Sequence, residues 1–415
     1  MINLDWNNKN NNLLFFNESR EPIYGSLELL KKYQLNKKYE YGEKSSSKQN
    51  MLIKGDNVIS LFKLQETHQS SIKCIYIDPP FNTGKTFDHY ADALDRDQWL
   101  SMMKIRLELM YNLLSEDGVI FVHIDDSEMP YLKILMDEIF NCDSNKYKSH
   151  SNYIATIIWQ KKSSPQNDAK FFSDVHDYIL VYAKDYMKFN MHKLERTEIQ
   201  NSRYKNIDND PRGPWTSSDL TVKTPSEHLI YEITLPSGRI IVPASSRSWG
   251  VTEERFQELV KDNRIWFGKS GNAMPRLKRF LSEVQEGIVP KTIWTIDEVG
   301  DNAEGKRELK KIINLDQAIF TTPKPERLIE RIIKLSTSEN DIVLDAFLGS
   351  GTTCAVAHKL GRQWIGLENG NQLDDICVPR LETVINGQDN NQVSQNNNWN
   401  GGGGFTYYSI EELLE

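Results

Sequence analysis

The chain has 415 residues and a net charge of −8, and this length is enough for two or three domains. It has no run of about 18 apolar residues, so no membrane span is predicted, and its first residues lack the basic and apolar segments of a secretion signal. Its four cysteines lack CxxC spacing, so we predict neither a disulfide framework nor a metal site and expect a reducing cytoplasm.

Residues 1–50 are rich in Asn, Lys and Ser, which is typical of an arm and a linker. The apolar segment Leu27–Leu30 predicts a short helix within this arm. Residues 51–57 then predict a strand and a turn, in which Asp56 or Asn57 begins the next helix as its N-cap.

A strand is predicted for Ile72–Ile77, and it is followed directly by Asp78, Pro79, Pro80 and Phe81. The two prolines fix φ and remove two backbone donors, so their carbonyl groups are expected to remain available as acceptors. A carboxylate, rigid carbonyl groups and an aromatic ring suit a planar ring that bears an amino group. Considered alone, the segment is also compatible with a turn that merely ends the strand.

Strands and helices alternate in the following part of the chain. A polar loop over residues 82–96 leads to a helix with an apolar stripe over residues 99–114, a strand over 119–124 and a helix over 127–140. This alternation predicts a parallel α/β sheet. His123 lies in an apolar strand and is interpreted as a core histidine rather than a ligand.

The regular pattern ends after two more predicted strands, over residues 154–159 and 177–182. Residues 186–291 combine aromatic residues with 17 basic and 13 acidic residues, a positive balance in an acidic chain. A nucleic-acid surface is therefore expected in this irregular insert. Its basic cluster at residues 276–279 has two open interpretations, which are phosphate contact and solvated surface.

Residues 326–368 predict, in order, a helix, a strand, a Gly-x-Gly turn, a second helix and a second strand. This order is typical of a nucleotide-binding βαβ unit, whose glycines allow the backbone to approach a ligand. Glu368 lies 23 positions after Asp345, near the offset expected for an acid that holds ribose hydroxyl groups. The Asn, Gln and Gly residues over 386–404 predict a flexible connector.

The sequence of the glycine turn disfavours two common ligands of such a unit. A phosphate loop for ATP requires Lys after its last glycine, whereas Gly351 is followed by Thr352. The dinucleotide fingerprint requires a third glycine where this chain has Cys354, and Asp345 would repel a pyrophosphate. That carboxylate favours a cation, such as the α-amino group of a methionyl moiety. S-adenosylmethionine, which is cationic and carries no phosphate, fits best.

The motifs, in this order, resemble those of amino-group DNA methyltransferases of the β circular order. The DPPF run at residues 78–81 is similar to the DPPY-type motif of that family, and the FLGSG run at 347–351 is similar to its FxGxG cofactor motif. The TPKP run at 322–325 resembles a further cofactor motif. The runs at residues 78–84, 320–325 and 401–405 most resemble the modification (Mod) subunits of type III restriction systems.

This resemblance implies a Rossmann-like α/β methyltransferase sheet with helices on both faces, together with an irregular inserted target-recognition domain. It also implies a set of domain boundaries. These are an N-terminal arm (1–50), a catalytic half (51–185), the target-recognition insert (186–291), a cofactor-binding half (292–386) and a C-terminal tail (387–415).

The activity implied is transfer of a methyl group from S-adenosylmethionine to N6 of adenine in DNA. Hydrogen bonds from the exocyclic amine to Asp78 and the Pro79 carbonyl would localise the nitrogen lone pair, which then attacks the sulfonium methyl group in line. A base inside a duplex is out of reach, so the adenine is expected to flip out, with Phe81 replacing the lost stacking. The cofactor is expected to contact Asp345, Phe347, Gly349, Ser350, Gly351, Thr352, Thr322 and Lys324, with Glu368 at the ribose and Asp56 at the adenine.

Three alternatives remain open. N4-cytosine methylation shares the fold and motif order, although Asp at position 78 favours adenine within the family. The substrate of the same fold could instead be RNA or a glutamine amide of a protein, or the chain could be an inactive specificity subunit. The expected partners are double-stranded DNA, a restriction (Res-type) subunit and a second copy of the chain, in a bacterial cytoplasm.

Overall fold

The structure is a computed structural model that describes residues 4–16, 22–43, 50–83, 94–141, 151–165, 169–284, 287–313 and 322–413. The chain forms two compact units. The larger unit comprises Met1–His192 and Lys291–Glu415, and the smaller unit comprises Lys193–Pro290. Among the described residues, no helix is both long enough and apolar enough to cross a membrane.

The first part of the larger unit alternates strands with helices, as predicted. Its elements are β1 (Leu13–Phe16), β2 (Pro22–Tyr24), a 3-10 helix (Leu27–Lys32), β3 (Tyr33–Gly42), β4 (Asn50–Lys54), α1 (Asn57–His68), β5 (Ile72–Ile77), α2 (Arg96–Leu113), β6 (Leu114–Ile124), α3 (Met129–Ile139), β7 (Tyr153–Gln160) and β8 (His176–Ala183). Each predicted strand and helix of this part is confirmed to within a few residues. Residues 84–93 of the predicted polar loop lie outside the described residues.

The smaller unit is built, among its described residues, from short strands, two α-helices and two 3-10 helices (Glu227–Leu229 and Leu281–Glu283). Its elements are α4 (Glu198–Asn201), β9 (Trp215–Asp219), β10 (Thr221–Val222), β11 (Ile233–Thr234), β12 (Ile240–Ile241), β13 (Ser248–Trp249), α5 (Glu253–Lys261), β14 (Ile265–Trp266) and β15 (Arg276–Phe280). Trp249, Phe256 and Leu235 are buried together in its core. Apolar burial of this kind is the main favourable term in the folding of such a unit.

The chain returns to the larger unit for the remaining elements. These are β16 (Ile293–Trp294), α6 (Ile296–Val299), α7 (Asn302–Ile312), α8 (Glu326–Ser336), β17 (Ile342–Asp345), α9 (Thr352–Lys359), β18 (Gln363–Glu368), a π turn (Leu373–Cys377), α10 (Val378–Ile385), α11 (Gln392–Asn396) and β19 (Gly404–Glu412). The predicted helix–strand–turn–helix–strand order of residues 326–368 is confirmed.

Among the described residues, ten strands form the sheet of the larger unit, in the order β16-β7-β8-β6-β5-β17-β18-β4-β19-β3. The run from β6 through β5, β17 and β18 to β4 is parallel, as predicted, and β19 also pairs parallel with β4. β8 pairs antiparallel with both β6 and β7, an orientation that was not predicted. The described part of the connection from β7 to β8 contains no helix, and a parallel crossover usually needs one.

Both faces of the sheet are covered, which confirms the predicted α/β class. Ile75 and Ile77 of β5 are buried in one core with apolar residues of α1, α2 and α3. Cys74 and Tyr76 alternate with them along the strand and are also buried, on the face where α8 contacts β5. Burial on both sides explains why β5 is apolar from Cys74 to Ile77.

The two ends of the chain differ from the prediction. A short helical segment is present at Leu27–Lys32, but the strand β3 that follows it was not predicted. The prediction of a flexible connector after residue 386 is wrong. Val393 is buried, the Trp399 indole donates a hydrogen bond to the Val384 carbonyl over 2.7 Å, and β19 inserts between β3 and β4. A few apolar residues in a polar segment are enough to dock it.

The basic cluster of the smaller unit also differs from the prediction. Lys278 is 1% exposed and forms ion pairs with Asp208 and Asp210, so it is neither a phosphate contact nor a solvated side chain. Arg276 pairs with Asp219 over 2.7 Å, and Arg279 is exposed. The alternation of β15 directs Lys278 inward and Arg279 outward, a distinction that the composition of the cluster does not reveal.

Candidate active site

The predicted site residues follow four adjacent strands of the larger unit. In the order β5-β17-β18-β4, these strands end at or just before Asp78, Asp345, Glu368 and Asp56. The strands are parallel, so their carboxyl ends meet at one edge of the sheet, with neighbours about 4.8 Å apart. The chain runs outward in opposite directions from β5 and β17, and this switch point is where open α/β sheets bind ligands.

The loop after β5 is fixed by contacts to two other segments. The Trp99 indole donates a hydrogen bond to the Pro80 carbonyl over 2.8 Å, so only the Pro79 carbonyl matches the prediction of an available acceptor. The Lys324 ammonium group donates to Oδ2 of Asp78 in an ion pair. Oδ1 of Asp78 is buried and accepts no hydrogen bond from the part of the chain that the structure describes. A buried acceptor without a donor is costly, so this atom is ready to receive a ligand N–H.

Phe81 lies against His123, as a stacked pair with ring centroids 5.8 Å apart and an interplanar angle of 19°. His123 is fully buried, accepts a hydrogen bond from the Tyr76 hydroxyl (3.1 Å) and donates one to Asp177 (3.3 Å). Burial and the nearby Lys324 ammonium lower the pKa of His123, so its imidazole is neutral. The interpretation of His123 as a core residue is confirmed, and this residue supports the Phe81 ring.

The glycine turn after β17 is linked to the end of β18. The Gly349 amide donates a hydrogen bond to Oε2 of Glu368 over 2.9 Å, while the Asn369 and Gly370 amides donate to Oε1 over 2.8 and 3.0 Å. Gly351 has a φ of 79° and precedes α9. A side chain there would be strained, and its Cβ would lie 3.3 Å from Cys377. The turn therefore brings backbone close to whatever binds at this edge.

Asp345 is the most buried carboxylate at this edge, with 2% of its surface exposed. It accepts hydrogen bonds from the Phe347 amide (3.0 Å) and the Thr353 hydroxyl (2.6 Å). Burial, together with the nearby carboxylates of Asp78 and Glu368, raises its pKa to about 7. Three carboxylates near the glycine turn favour a cationic ligand and disfavour a phosphate, which is the charge preference expected for S-adenosylmethionine.

The raised pKa of Asp345 predicts that cofactor binding depends on pH. Because this pKa exceeds that of the unfolded chain, the contribution of Asp345 to stability is present at low pH and is lost as pH rises through about 7. A cation that pairs with the ionised carboxylate should therefore bind about tenfold more tightly at pH 8 than at pH 6. Calorimetric titration with S-adenosylmethionine at both pH values measures this. Asp345→Asn should remove the difference, and a wild-type affinity independent of pH would contradict it.

Two other predicted cofactor residues have different surroundings. Asp56 is the N-cap of α1, where Oδ1 accepts a hydrogen bond from the Val58 amide over 2.8 Å and lies 3.5 Å from Arg106. Thr322 is exposed, at the start of the segment that leads to α8. The preceding residues 320–321 lie outside the described residues. Asp56 thus has a capping role that is sufficient to explain it.

A buried network beneath the glycine turn was not predicted. Arg380 donates to the Thr352 hydroxyl (2.7 Å) and pairs with Glu326 (2.9 Å), which also pairs with Lys359 (2.5 Å). Lys359 pairs in turn with Asp389 (2.6 Å). These charged residues come from α8, α9, α10 and the tail, and no local pattern in the sequence marks them as partners. The network fixes the start of α9 and therefore the turn before it.

The family follows from a direct comparison. Residues 72–378 match the model of the DNA methylase family, so the chain belongs to that family. The family uses S-adenosylmethionine, which confirms the predicted cofactor. The resemblance to type III Mod subunits is also confirmed by individual relatives.

Two such relatives match most of the chain. It is 31% identical to the probable type III restriction-modification enzyme HindVI Mod subunit of Haemophilus influenzae, over 88% of this chain and 54% of that protein. It is 31% identical to the StyLTI Mod subunit of Salmonella typhimurium, over 85% of this chain and 55% of that protein. The chain thus spans about half the length of these relatives. It is 20% identical to the DNA adenine methyltransferase YhdJ of Escherichia coli, over 80% of this chain and 83% of that protein.

Proposed function

We propose that this chain transfers a methyl group from S-adenosylmethionine to N6 of an adenine that is flipped out of duplex DNA, as part of a restriction-modification system. One observation carries the proposal. The buried acceptor Oδ1 of Asp78 and the glycine turn at residues 349–351 follow adjacent parallel strands, so an amine and a cationic cofactor can meet between them. Membership of the DNA methylase family and the similarity to Mod subunits support it.

The residues after β5 would make the amine reactive. An exocyclic amine is a weak nucleophile because its lone pair is delocalised into the ring. Oδ1 of Asp78 and the Pro79 carbonyl would accept its two N–H groups, which localises the lone pair on nitrogen. Oδ2 of Asp78 stays paired with Lys324, so the carboxylate does not rotate away from the base. Asp78 does not need to be a strong base, since the amine proton can leave to water afterwards.

The residues after β17 and β18 would hold the cofactor. S-adenosylmethionine supplies a methyl group on a positively charged sulfur, which makes that carbon an electrophile. Asp345 would face the methionyl ammonium, while Phe347, Gly349 and Gly351 shape the wall beside it. Glu368 has both carboxylate oxygens engaged by backbone amides and can still accept ribose hydroxyl groups, because each carboxylate oxygen accepts more than one hydrogen bond. Ser350, Thr352, Thr322, Lys324 and Asp56 complete the proposed set.

The remaining assignments concern the target and the assembly. The insert at residues 186–291 is proposed to recognise the DNA sequence, and the segments before and after it to form the catalytic and cofactor-binding halves. The proposed partners are double-stranded DNA, a Res-type restriction subunit and a second copy of the chain. The uneven charge of the chain supports the role of the insert, since its basic residues outnumber its acidic ones.

Phe81→Ala should lower turnover about tenfold or more. The Phe81 ring is proposed to stack on the flipped base, a contact worth about 1–3 kcal/mol. Steady-state methylation of an oligonucleotide duplex measures this. Phe81→Tyr should retain turnover within about threefold, because it keeps the ring and the stacking on His123. Equal losses in both variants would contradict a stacking role.

Analysis of modified bases tests the proposed function. DNA from cells that express the chain would be digested to nucleosides for mass spectrometry, and the same DNA read by single-molecule sequencing to locate the site. The proposal predicts N6-methyladenine at one recognition sequence. Detection of N4-methylcytosine instead would show that the target base is cytosine, the alternative substrate. Unmodified DNA, from a chain shown by titration to bind S-adenosylmethionine, would contradict DNA methylation.

A further inference from the structure

Lys324 lies between the two halves of the site. Its side chain is almost completely buried, and its ammonium group pairs with Oδ2 of Asp78 and lies 5.6 Å from the centre of the Phe81 ring. Its backbone carbonyl accepts a hydrogen bond from the Thr352 hydroxyl over 3.3 Å, at the first residue of α9. One residue therefore contacts both the loop after β5 and the helix that follows the glycine turn.

The backbone around Lys324 is held tightly from the side of α7. Gly305, in the middle of α7, packs directly against it, and a Cβ added there would lie 2.3 Å from the Pro323 carbonyl oxygen and 2.9 Å from the Lys324 carbonyl carbon. Pro323 and Pro325 restrict the backbone on either side. On the opposite side, Glu326 is anchored by Arg380 and Lys359. A lysine on such a rigid backbone presents its charge at a defined point.

A single buried ion pair in this position has two consequences for Asp78. Because Oδ2 is occupied by Lys324, the second oxygen, Oδ1, is left as the acceptor for a ligand N–H. A charge-assisted hydrogen bond of this kind also fixes the rotation of the carboxyl group.

We propose that Lys324 is a positioning residue for Asp78, rather than primarily a contact of the cofactor, and that Gly305 allows the close backbone approach that places it. This inference rests on the proposed methyl transfer. It assigns a role in catalysis to the TPKP segment, whose resemblance implied only cofactor binding. It also predicts that Gly305 of α7 affects turnover, although Gly305 does not contact Asp78.

The test compares Lys324→Met with Lys324→Arg. Met keeps most of the length of the side chain without its charge, so turnover at pH 7 should fall about tenfold to a hundredfold. The loss should fall on kcat rather than on the KM for S-adenosylmethionine, because Lys324 is proposed to act through Asp78. The Kd for S-adenosylmethionine, from calorimetric titration, should stay within about threefold. Arg retains the charge and can keep the ion pair with Asp78, so it should retain more turnover than Met.

Gly305→Ala is a second variant that keeps Lys324 itself. It should lower turnover at least about fivefold with an unchanged Kd for S-adenosylmethionine, because the added methyl group displaces the backbone of residues 323–324. Ala303→Ser, on the same helix, is the matched control and should behave as wild type. Folding of each variant is checked by its melting temperature.

The outcomes separate the two proposals. A wild-type chain that binds S-adenosylmethionine but transfers no methyl group contradicts the proposed function. If the wild type is active, the positioning role alone is contradicted when Lys324→Met keeps wild-type kcat, or when it weakens S-adenosylmethionine binding tenfold or more with turnover intact. Normal turnover in a folded Gly305→Ala variant contradicts the role of Gly305.

Discussion

Asp78→Ala is expected to abolish methyl transfer, with a loss of about a thousandfold or more, while the Kd for S-adenosylmethionine stays within about threefold. The variant removes the acceptor Oδ1 and leaves the Lys324 ammonium group without its carboxylate partner. Cofactor contacts at Asp345 and the glycine turn remain. The measurement pairs a tritium-transfer assay on duplex DNA with calorimetric titration of the cofactor.

Two further substitutions make this result specific. Asp78→Asn keeps a carbonyl acceptor but loses the charge, so it should retain more turnover than Asp78→Ala. Asp126 is an exposed carboxylate that follows the neighbouring strand β6, and Asp126→Ala should stay within about twofold of wild type. Retained turnover in Asp78→Ala would remove Asp78 from the mechanism.

Glu368→Gln is expected to weaken S-adenosylmethionine binding about thirtyfold or more. The Glu368 carboxylate accepts hydrogen bonds from three backbone amides, and the one from Gly349 shapes the glycine turn. An amide side chain has one acceptor oxygen and turns its NH2 group toward a backbone donor. Hydrogen bonds to a charged group are worth about 1.5–3 kcal/mol, so losing one is sufficient for this effect. Calorimetric titration measures it.

The matched control is Glu339→Gln, an exposed glutamate just before β17, which should bind the cofactor as wild type does. The melting temperature of Glu368→Gln without cofactor shows whether the turn or the whole fold is affected. Wild-type affinity in Glu368→Gln would contradict both the ribose assignment and the role of Glu368 in holding the turn.

Much of this arrangement could be predicted because its signals are local. The strand before Asp78 is apolar from Cys74 to Ile77, since it is buried on both faces there, and a run of this kind bounded by a turn predicts a central strand. Gly349 and Gly351 have positive φ values of 58° and 79°, which is the backbone state that glycine marks in a sequence. Parallel strands then place the residues after them at one edge, however far apart they lie in the chain.

The parts that could not be predicted depend on contacts between distant residues. The composition of the basic cluster gives no sign that Lys278 is buried between two aspartates, and the polar tail gives no sign that β19 completes the sheet. The pairing of Lys324 with Asp78 joins residues from the two chain segments of the larger unit. Sequence patterns describe a side chain and its neighbours in the chain, whereas these partners are selected by packing.

The most direct test of the account is a crystal structure of the chain with sinefungin, an unreactive analogue of S-adenosylmethionine. The account predicts ligand density at the carboxyl ends of β17 and β18. The α-ammonium group of the ligand should contact Asp345, and the group that takes the place of the sulfonium methyl should point toward Asp78. Density at another place, or a ligand whose reactive end is turned away from Asp78, would contradict a single pocket for amine and cofactor.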